Sequence, residues 1–525
     1  MTSPHDQDLV FAFLCDLHRH PDVRRIDTHA ASVFLIGDRA LKIKRAVRLP
    51  FLDYSTLALR KAACAKEVEV NRPFAPDIYL RVVAITTAPD GSFDIDGSGT
   101  PVEYAVEMRR FDDSKTLDHL ARSGQVSAGL ADQLAETIAT SHRVAAEVPL
   151  NTWIDCIPRW IDASVASLAA SPRFPQTEVE AFSKLCHSAF SRLTPLLERR
   201  ATNGHVRRCH GDLHLANIVM IEDKPVLFDA IEFDESIATI DVLYDLAFPL
   251  MDLLHFGLPV AANHLLNQYF SIAAPDQIDG LALLPLFMSI RAAIRAQVFL
   301  AKLDRERADH ANADASAILS IAESYFKLAR ELVQPAPPTM IAIGGLSGTG
   351  KSALARALAP VLSPRPGAIV LRSDVLRKTL FGVGQTDRLP KQAYTPESST
   401  RVYREQADRA ARVLAQGFPV IVDAVFARPD EREAIKNVAK QLNVRFAGIF
   451  LSADLRTRQQ RIQHRVNDAS DATSEVARDQ ERYDIGALDW LQVNASGTPE
   501  ATLQQCLSTL RTTLEADVAR LPMTT

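Results

Sequence analysis

Two stretches of this sequence carry residue types at spacings that phosphate chemistry requires. The stronger is Met340-Ile-Ala-Ile-Gly-Gly-Leu-Ser-Gly-Thr-Gly-Lys-Ser352, an apolar run that enters a glycine-rich loop and ends on a lysine and a serine. Gly345 and Gly350 fill the fixed glycines of G-x-x-x-x-G-K-[ST], where the backbone must turn with its N–H groups facing inward around an anion. Ser347, Gly348, Thr349 and Gly350 would line the phosphates of ATP. Lys351 would reach the β- and γ-phosphates, and Ser352 would offer its hydroxyl to Mg²⁺. The alanine- and leucine-rich stretch from Ala353 to Ala359 reads as a helix with its positive end at the anion.

The second stretch is His210-Gly-Asp-Leu-His-Leu-Ala-Asn217, followed by Ile218-Val-Met-Ile221, a turn at Glu222-Asp-Lys224, and Val226-Leu-Phe-Asp-Ala-Ile231. An Asp, an Asn five residues on, and a hairpin ending in a further Asp suit phosphoryl transfer. Asp212 would accept or orient a substrate hydroxyl, while Asn217 and Asp229 would hold Mg²⁺. The D-x-x-x-x-N spacing equals that of the protein-kinase catalytic loop. Glu232, Asp234, Asp241 and Asp245 extend the acidic run, either as contacts to a cationic substrate or metal or as solvated and capping charge. His214 reads as structural.

Further charges follow the phosphate loop. Ala368-Ile-Val-Leu-Arg-Ser-Asp374 reads as a buried strand ending in a candidate base, Asp374, with Arg377 one helical turn later to bind an anionic group or the transferring phosphate. Pro419-Val-Ile-Val-Asp-Ala-Val-Phe426 is a third strand, whose Asp423 would hold Mg²⁺ or touch substrate. Val444 to Leu451 reads as a fourth strand and leads to Arg456, Arg458, Arg461 and Arg465. The spacing of Arg461 and Arg465 predicts one helix face, either an arginine-bearing lid over ATP or a solvated basic surface.

Positioning these groups requires several cores, because 525 residues exceed what one compact core holds. The Pro-rich segment 334–338 reads as a linker between a P-loop domain, 339–525, and an earlier domain made of a strand-rich lobe, 1–107, and a helical lobe, 108–333. In the small lobe, Ser32 to Ile36 and Ala40 to Lys44 flank a Gly37-Asp38 turn, which puts Lys42 and Lys44 on one strand face; Thr56 to Asn71, with Glu67 and Glu69, reads as a helix. A net charge of -5 argues against a dominant nucleic-acid surface. Six scattered cysteines without a C-x-x-C pair and no basic-then-apolar N-terminus predict free thiols in the cytoplasm. The apolar run Leu281 to Ile290 predicts a core helix and not a membrane span.

His210-Gly-Asp212, Asn217 and Phe228-Asp229 resemble the aminoglycoside phosphotransferase and kinase-like families. The resemblance implies a two-lobed fold that transfers the γ-phosphate of ATP to a small-molecule hydroxyl. It also implies that Lys42 pairs with the phosphates, that Glu67 holds Lys42, and that Glu107 and Met108 lie at the interlobe hinge beside adenine. Lys44 competes with Lys42 for its role, and Glu69 with Glu67. A glycine-rich loop ahead of Lys42 is missing; the sequence there is Asp27-Thr-His-Ala-Ala-Ser32. The phosphate loop, Asp374, Arg377, Asp423 and the Arg461/Arg465 pair look like the P-loop kinase group of gluconate kinase, polynucleotide kinase and zeta toxin, without features of a motor, a GTPase or an AAA-type ATPase. The expected fold is therefore mixed α/β and α+β, a kinase-like domain followed by a parallel P-loop sheet. The expected function is phosphotransfer with ATP and Mg²⁺ at two sites. Alternatives are a nucleotide-binding regulator with one inactive kinase-like domain, and a nucleic-acid 5′-end kinase.

Overall fold

A computed structural model describes residues 4–16, 23–28, 30–49, 52–148, 152–308, 315–465 and 468–514. The chain forms two compact units, residues 1–159 with 194–252, and residues 160–193 with 253–525. The helical region expected as one lobe thus contributes to both.

In the first unit, alternating apolar residues build an antiparallel six-stranded sheet. Its strands are β1 (Arg24–Asp27), β2 (Ala31–Ile36), β3 (Arg39–Lys44), β4 (Tyr79–Thr87), β5 (Phe93–Ile95) and β6 (Thr100–Arg109). Their order is β1-β2-β3-β6-β4-β5. Phe34, Leu41, Ile43, Val83 and Ala105 pack together on one face. The period of two therefore sends Lys42 and Lys44 to the other face. There helix α1 (Leu57–Asn71) packs through Cys64 and Val68 against Tyr79 and Val106. The Thr56 side chain accepts the Leu59 N–H at 3.3 Å, a cap worth about 1 kcal/mol that fixes where α1 begins and hence where Glu67 falls. The hairpin β7 (Ile218–Ile221) and β8 (Lys224–Leu227) follows the His210-Gly-Asp212 loop, with Ile218 opposite Leu227.

The second unit holds helix α2 (Pro259–Ile272) and the helices Leu284–Ala308 and Ala315–Leu332. The helical stretch Pro275–Asp304 is long and apolar enough to cross a membrane, yet its most apolar window is 67% buried against protein, as expected of a core helix. The P-loop sheet has five parallel strands, β9 (Thr339–Gly345), β10 (Ile369–Arg372), β11 (Val420–Asp423), β12 (Arg445–Ser452) and β13 (Leu491–Asn494), in the order β10-β11-β9-β12-β13. Every residue of central β9 is buried, which explains its unbroken apolar sequence. Helices α3 (Lys351–Leu358), α4 (Ser373–Leu380) and α5 (Leu455–Gln463) follow β9, β10 and β12. Strand β13 was not anticipated: it is a four-residue edge strand in which only Val493 is buried, so it carries almost no apolar pattern.

Candidate active sites

In the first unit, β3 presents two lysines to α1, and Glu67 receives both. Lys42 Nζ lies 2.7 Å from Glu67 Oε1 and 2.6 Å from Asp229 Oδ1, while Lys44 Nζ lies 2.7 Å from Glu67 Oε2 and also pairs with Glu232. The result is a chain of alternating charge, Asp229–Lys42–Glu67–Lys44–Glu232. Burial opposes the charge on Lys42, but Asp229 and Glu67 outweigh it and hold the lysine well above its ordinary range. Burial likewise opposes ionisation of Glu67, and the two lysines overcome it, so Glu67 titrates below a free glutamate. Asp229 is lowered too, its desolvation being outweighed by Lys42. Glu69 instead pairs with Lys66 on the exposed side of α1, at 3.1 Å.

Asp229 adopts a left-handed backbone, φ 61°, a costly conformation for a residue other than glycine. Neighbouring bonds hold it. Its N–H donates to the Tyr79 hydroxyl at 3.0 Å, and the next residue, Ala230, exchanges hydrogen bonds with the Asn71 side chain at 2.6 and 3.2 Å. Asn217 Nδ2 donates to the Asp212 carbonyl at 2.9 Å and to its Oδ2 at 3.3 Å, and His214 Nε2 lies 3.4 Å from the same carboxylate. The loop is braced from beneath, where Asp245 accepts the N–H groups of Gly211 at 2.9 Å and His210 at 3.3 Å. The acidic run therefore resolves into capping and pairing: Asp241 is buried against Arg200, Asp234 caps a short helix, Asp245 braces the loop and Glu232 pairs with Lys44. Asp212 and Asp229 keep about two-fifths of their side-chain surface open, 40% and 43%, and with Asn217 they offer the hard oxygen donors that Mg²⁺ prefers.

In the second unit the phosphate loop hangs from the end of β9. Gly348, at φ 87°, passes so close to α5 that an added Cβ would sit 2.6 Å from the Arg458 carbonyl oxygen, so only glycine fits. Ser347 N–H donates to Gln480 Oε1 at 2.7 Å, and Arg461 Nη1 donates to the Thr349 carbonyl at 3.3 Å. Lys351 Nζ rests 3.2 Å from the Leu346 carbonyl oxygen, and the Ser352 hydroxyl donates to Asp423 Oδ2 at 2.5 Å. Burial lowers the Lys351 pKa, with Asp423 and Asp374 only partly compensating. Burial and then the charge of Asp423 raise the pKa of Asp374.

A cavity of about 1150 Å³ opens from the loop and is lined also by Asp374, Arg377, Asp423, Arg461 and Arg465. Arg377 is buried, bonds the Ala393 carbonyl and Ser399 Oγ, and lies 5.0 Å from the Tyr394 ring centroid, which leaves its Nε without a partner. Ser352 and Asp423 present oxygen donors side by side, a set that also suits Mg²⁺.

The residues singled out in the sequence thus gather at two places, with two differences. Glu107 and Met108 stay inside β6, which runs to Arg109, and the Glu107 carboxylate pairs with Arg39 and, at 2.8 Å, with Arg81. Arg461 and Arg465 do not share a helix, because α5 ends at Gln463 with His464 as its cap. Arg461 is instead tied to the loop, and to the Gly497 carbonyl at 2.7 Å. Several supporting residues lie outside those motifs. Arg372 lies beside Asp423, Nε to Oδ2 3.7 Å, and bonds Asp468 at 2.9 Å; its place just before Ser373-Asp374 at a strand end was a usable signal. Tyr79, Asn71 and Gln480 lie far along the chain from what they hold and left none.

Residues 22–281 match the phosphotransferase enzyme family, and residues 340–483 match a family described as an AAA domain. The second match brings the P-loop with it, under an AAA description that the sequence motifs had not suggested. An uncharacterized protein of Mycobacterium tuberculosis is 29% identical over 475 residues, covering 88% of this chain and 91% of the relative. Among solved structures, aminoglycoside 2′-phosphotransferase-IIIa in its GDP complex is similar at 16% identity, covering 62% of this chain and 99% of that one, TM-score 0.38. A choline/ethanolamine kinase family protein from Mesorhizobium loti is similar at 14% identity over 62% of this chain and 99% of its own, TM-score 0.36. A gluconokinase from Sinorhizobium meliloti is similar at 20% identity over 35% of this chain and 97% of its own, TM-score 0.26.

Proposed function

We propose that the chain, whose residues 22–281 match the phosphotransferase enzyme family and whose residues 340–483 match a family described as an AAA domain, uses ATP at two separate sites to phosphorylate hydroxyl groups of small molecules. The observation that carries this reading is the contact set around Lys42: a lysine 2.7 Å from Glu67 and 2.6 Å from Asp229, in a unit that also holds the bonded pair Asp212 and Asn217.

At the first site Lys42 is the cation for the nucleotide phosphates, and Glu67 fixes its position. Asp212 takes the proton from the attacking hydroxyl, and Asn217 and Asp229 hold the metal. At the second, the loop N–H groups and Lys351 receive the phosphates while Ser352 and Asp423 hold the metal. Asp374, whose raised pKa favours proton uptake, acts as base, and Arg377, Arg461 and Arg465 face the developing negative charge. When bound, Mg²⁺ neutralises charge on the β- and γ-phosphates.

Purified protein with MgATP and a metabolite extract is expected to yield phosphorylated products. Asp212→Ala should remove one set and Lys351→Ala another. No product from the wild type would sink the proposal. ATP binding without turnover, abolished separately by Asp229→Ala and Lys351→Ala, would point to a regulator, and transfer to an oligonucleotide 5′ end would point to a nucleic-acid kinase.

A further inference from the structure

Strand β10 is one edge of the P-loop sheet and should leave a row of backbone groups unpaired. Ile369 N–H bonds the Pro419 carbonyl at 3.0 Å, so residue 369 faces β11 and its neighbours, 368 and 370, face outward. Helix α2 meets those outward groups with two asparagines. Asn267 Oδ1 accepts the Val370 N–H at 2.7 Å, and Asn267 Nδ2 donates to the Ala368 carbonyl at 3.0 Å. Asn263, only 3% exposed, donates from Nδ2 to the carbonyls of Ala368 and Pro366, both at 3.1 Å. One helical turn separates the two residues, and Asn267 Nδ2 also reaches Asn263 Oδ1 at 3.0 Å, which orients the pair.

The Asn267 amide thus supplies the donor and acceptor that a neighbouring strand would supply. A second tie lies nearby, where Arg412 grips Asp279 through two bonds of 2.9 Å. The consequence concerns chemistry because β10 leads straight into the site. Arg372 pairs in register with Asp423, and Ser373-Asp374 follow. Helix α2 lies inside the span that matches the phosphotransferase family, yet it belongs to the compact unit of the P-loop sheet.

We propose that Asn263 and Asn267 are positioning residues of the P-loop site: by closing the open edge of β10 they hold Arg372 and Asp374 in register with Asp423. This rests on the reading of Asp374 and Asp423 as base and metal-side carboxylate. Full-length protein carrying Asp212→Ala, which leaves only the second site to turn over, is assayed for MgATP hydrolysis with water as the acceptor.

Asn267→Ala is expected to lower kcat about tenfold or more, with KM for ATP within about twofold, because the phosphate loop hangs from central β9 and not from the edge. Amide exchange at Val370 should be slow in the unaltered protein and fast in the variant. Unchanged kcat in folded Asn267→Ala overturns the inference, as does a Val370 amide that exchanges like an open edge in the unaltered protein. Should Asn267→Ala not fold, Asn263→Ala keeps the Val370 bond and is expected to lose less kcat; no loss there overturns the inference as well. Hydrolysis that survives Lys351→Ala does not come from this site. That result removes the reading of the P-loop, and exchange at Val370 then decides the positioning role alone.

Discussion

The two sites use their lysines in opposite ways. Lys42 sits between two carboxylates and is held above its ordinary pKa, while Lys351 has a backbone carbonyl beside it and is pushed below. A site made of side-chain charges must neutralise itself when empty, because an unpaired buried charge is costly. A site made of backbone N–H groups can leave its lysine underpaired, since the loop geometry and not an ion pair holds it in place. The first arrangement ties function to stability, and the second separates them.

The largest expected effect tests that separation. Lys44→Met should leave Glu232, which has 7% side-chain exposure, without its cation, and destabilise the first unit by about 3 kcal/mol. Thermal unfolding should show a clear loss. Turnover at the second site should stay at its wild-type level below the new transition. If Lys44→Met unfolds no earlier than wild type, the charge chain is not what holds the first site together.

Lys351→Ala probes the other side. Turnover at the P-loop site should fall about 10²- to 10³-fold, as when a preorganised cation or donor is removed, while the melting temperature stays level or rises. A strongly destabilised Lys351→Ala would mean that this lysine, like Lys42, is part of the fold.

The contrast should also appear on the alkaline side. The folded-state pKa of Lys351 is lowered, so as pH rises it loses its proton before an unfolded lysine does. Between the two values the folded form binds fewer protons than the unfolded, and stability rises with pH. ATP affinity at this site should fall across the same window, read in Asp229→Ala protein. Lys42 is raised, so its stabilisation is fully present below the unfolded lysine pKa and is lost only as pH climbs through the folded value. ATP binding read in Lys351→Ala protein should therefore persist to higher pH. Parallel losses at the two sites would erase the distinction.

What the sequence disclosed follows the same division. The phosphate loop and the Asp212–Asn217–Asp229 series each fall within a short span, so both could be picked out as candidates from spacing. Choosing between Lys42 and Lys44 was beyond it, since Glu67 binds both and only Asp229, 187 positions further along the chain, pairs with Lys42 alone. The fold class was legible from alternating and unbroken apolar runs. The end of α5 was not, because Gln463-His464-Arg465 contains neither glycine nor proline to stop a helix, and the edge bonds of Asn263 and Asn267 exist only once two distant segments have met.

The smallest effect should come from Asp374→Asn. Asp374 has a folded-state pKa raised by burial and by Asp423, so ionising it costs stability as pH rises from the unfolded carboxylate value through the folded one. Replacing it with a neutral amide removes that cost. The variant should gain roughly 1 kcal/mol or less near neutral pH, with the gain vanishing below the unfolded aspartate pKa of about 4. It should nevertheless lose turnover at the P-loop site, since an amide cannot accept the hydroxyl proton. Unfolding curves at two pH values, taken beside turnover, separate these effects. A variant that is less stable at neutral pH would show that Asp374 is held by bonds in the fold, which would make its site resemble the first one after all.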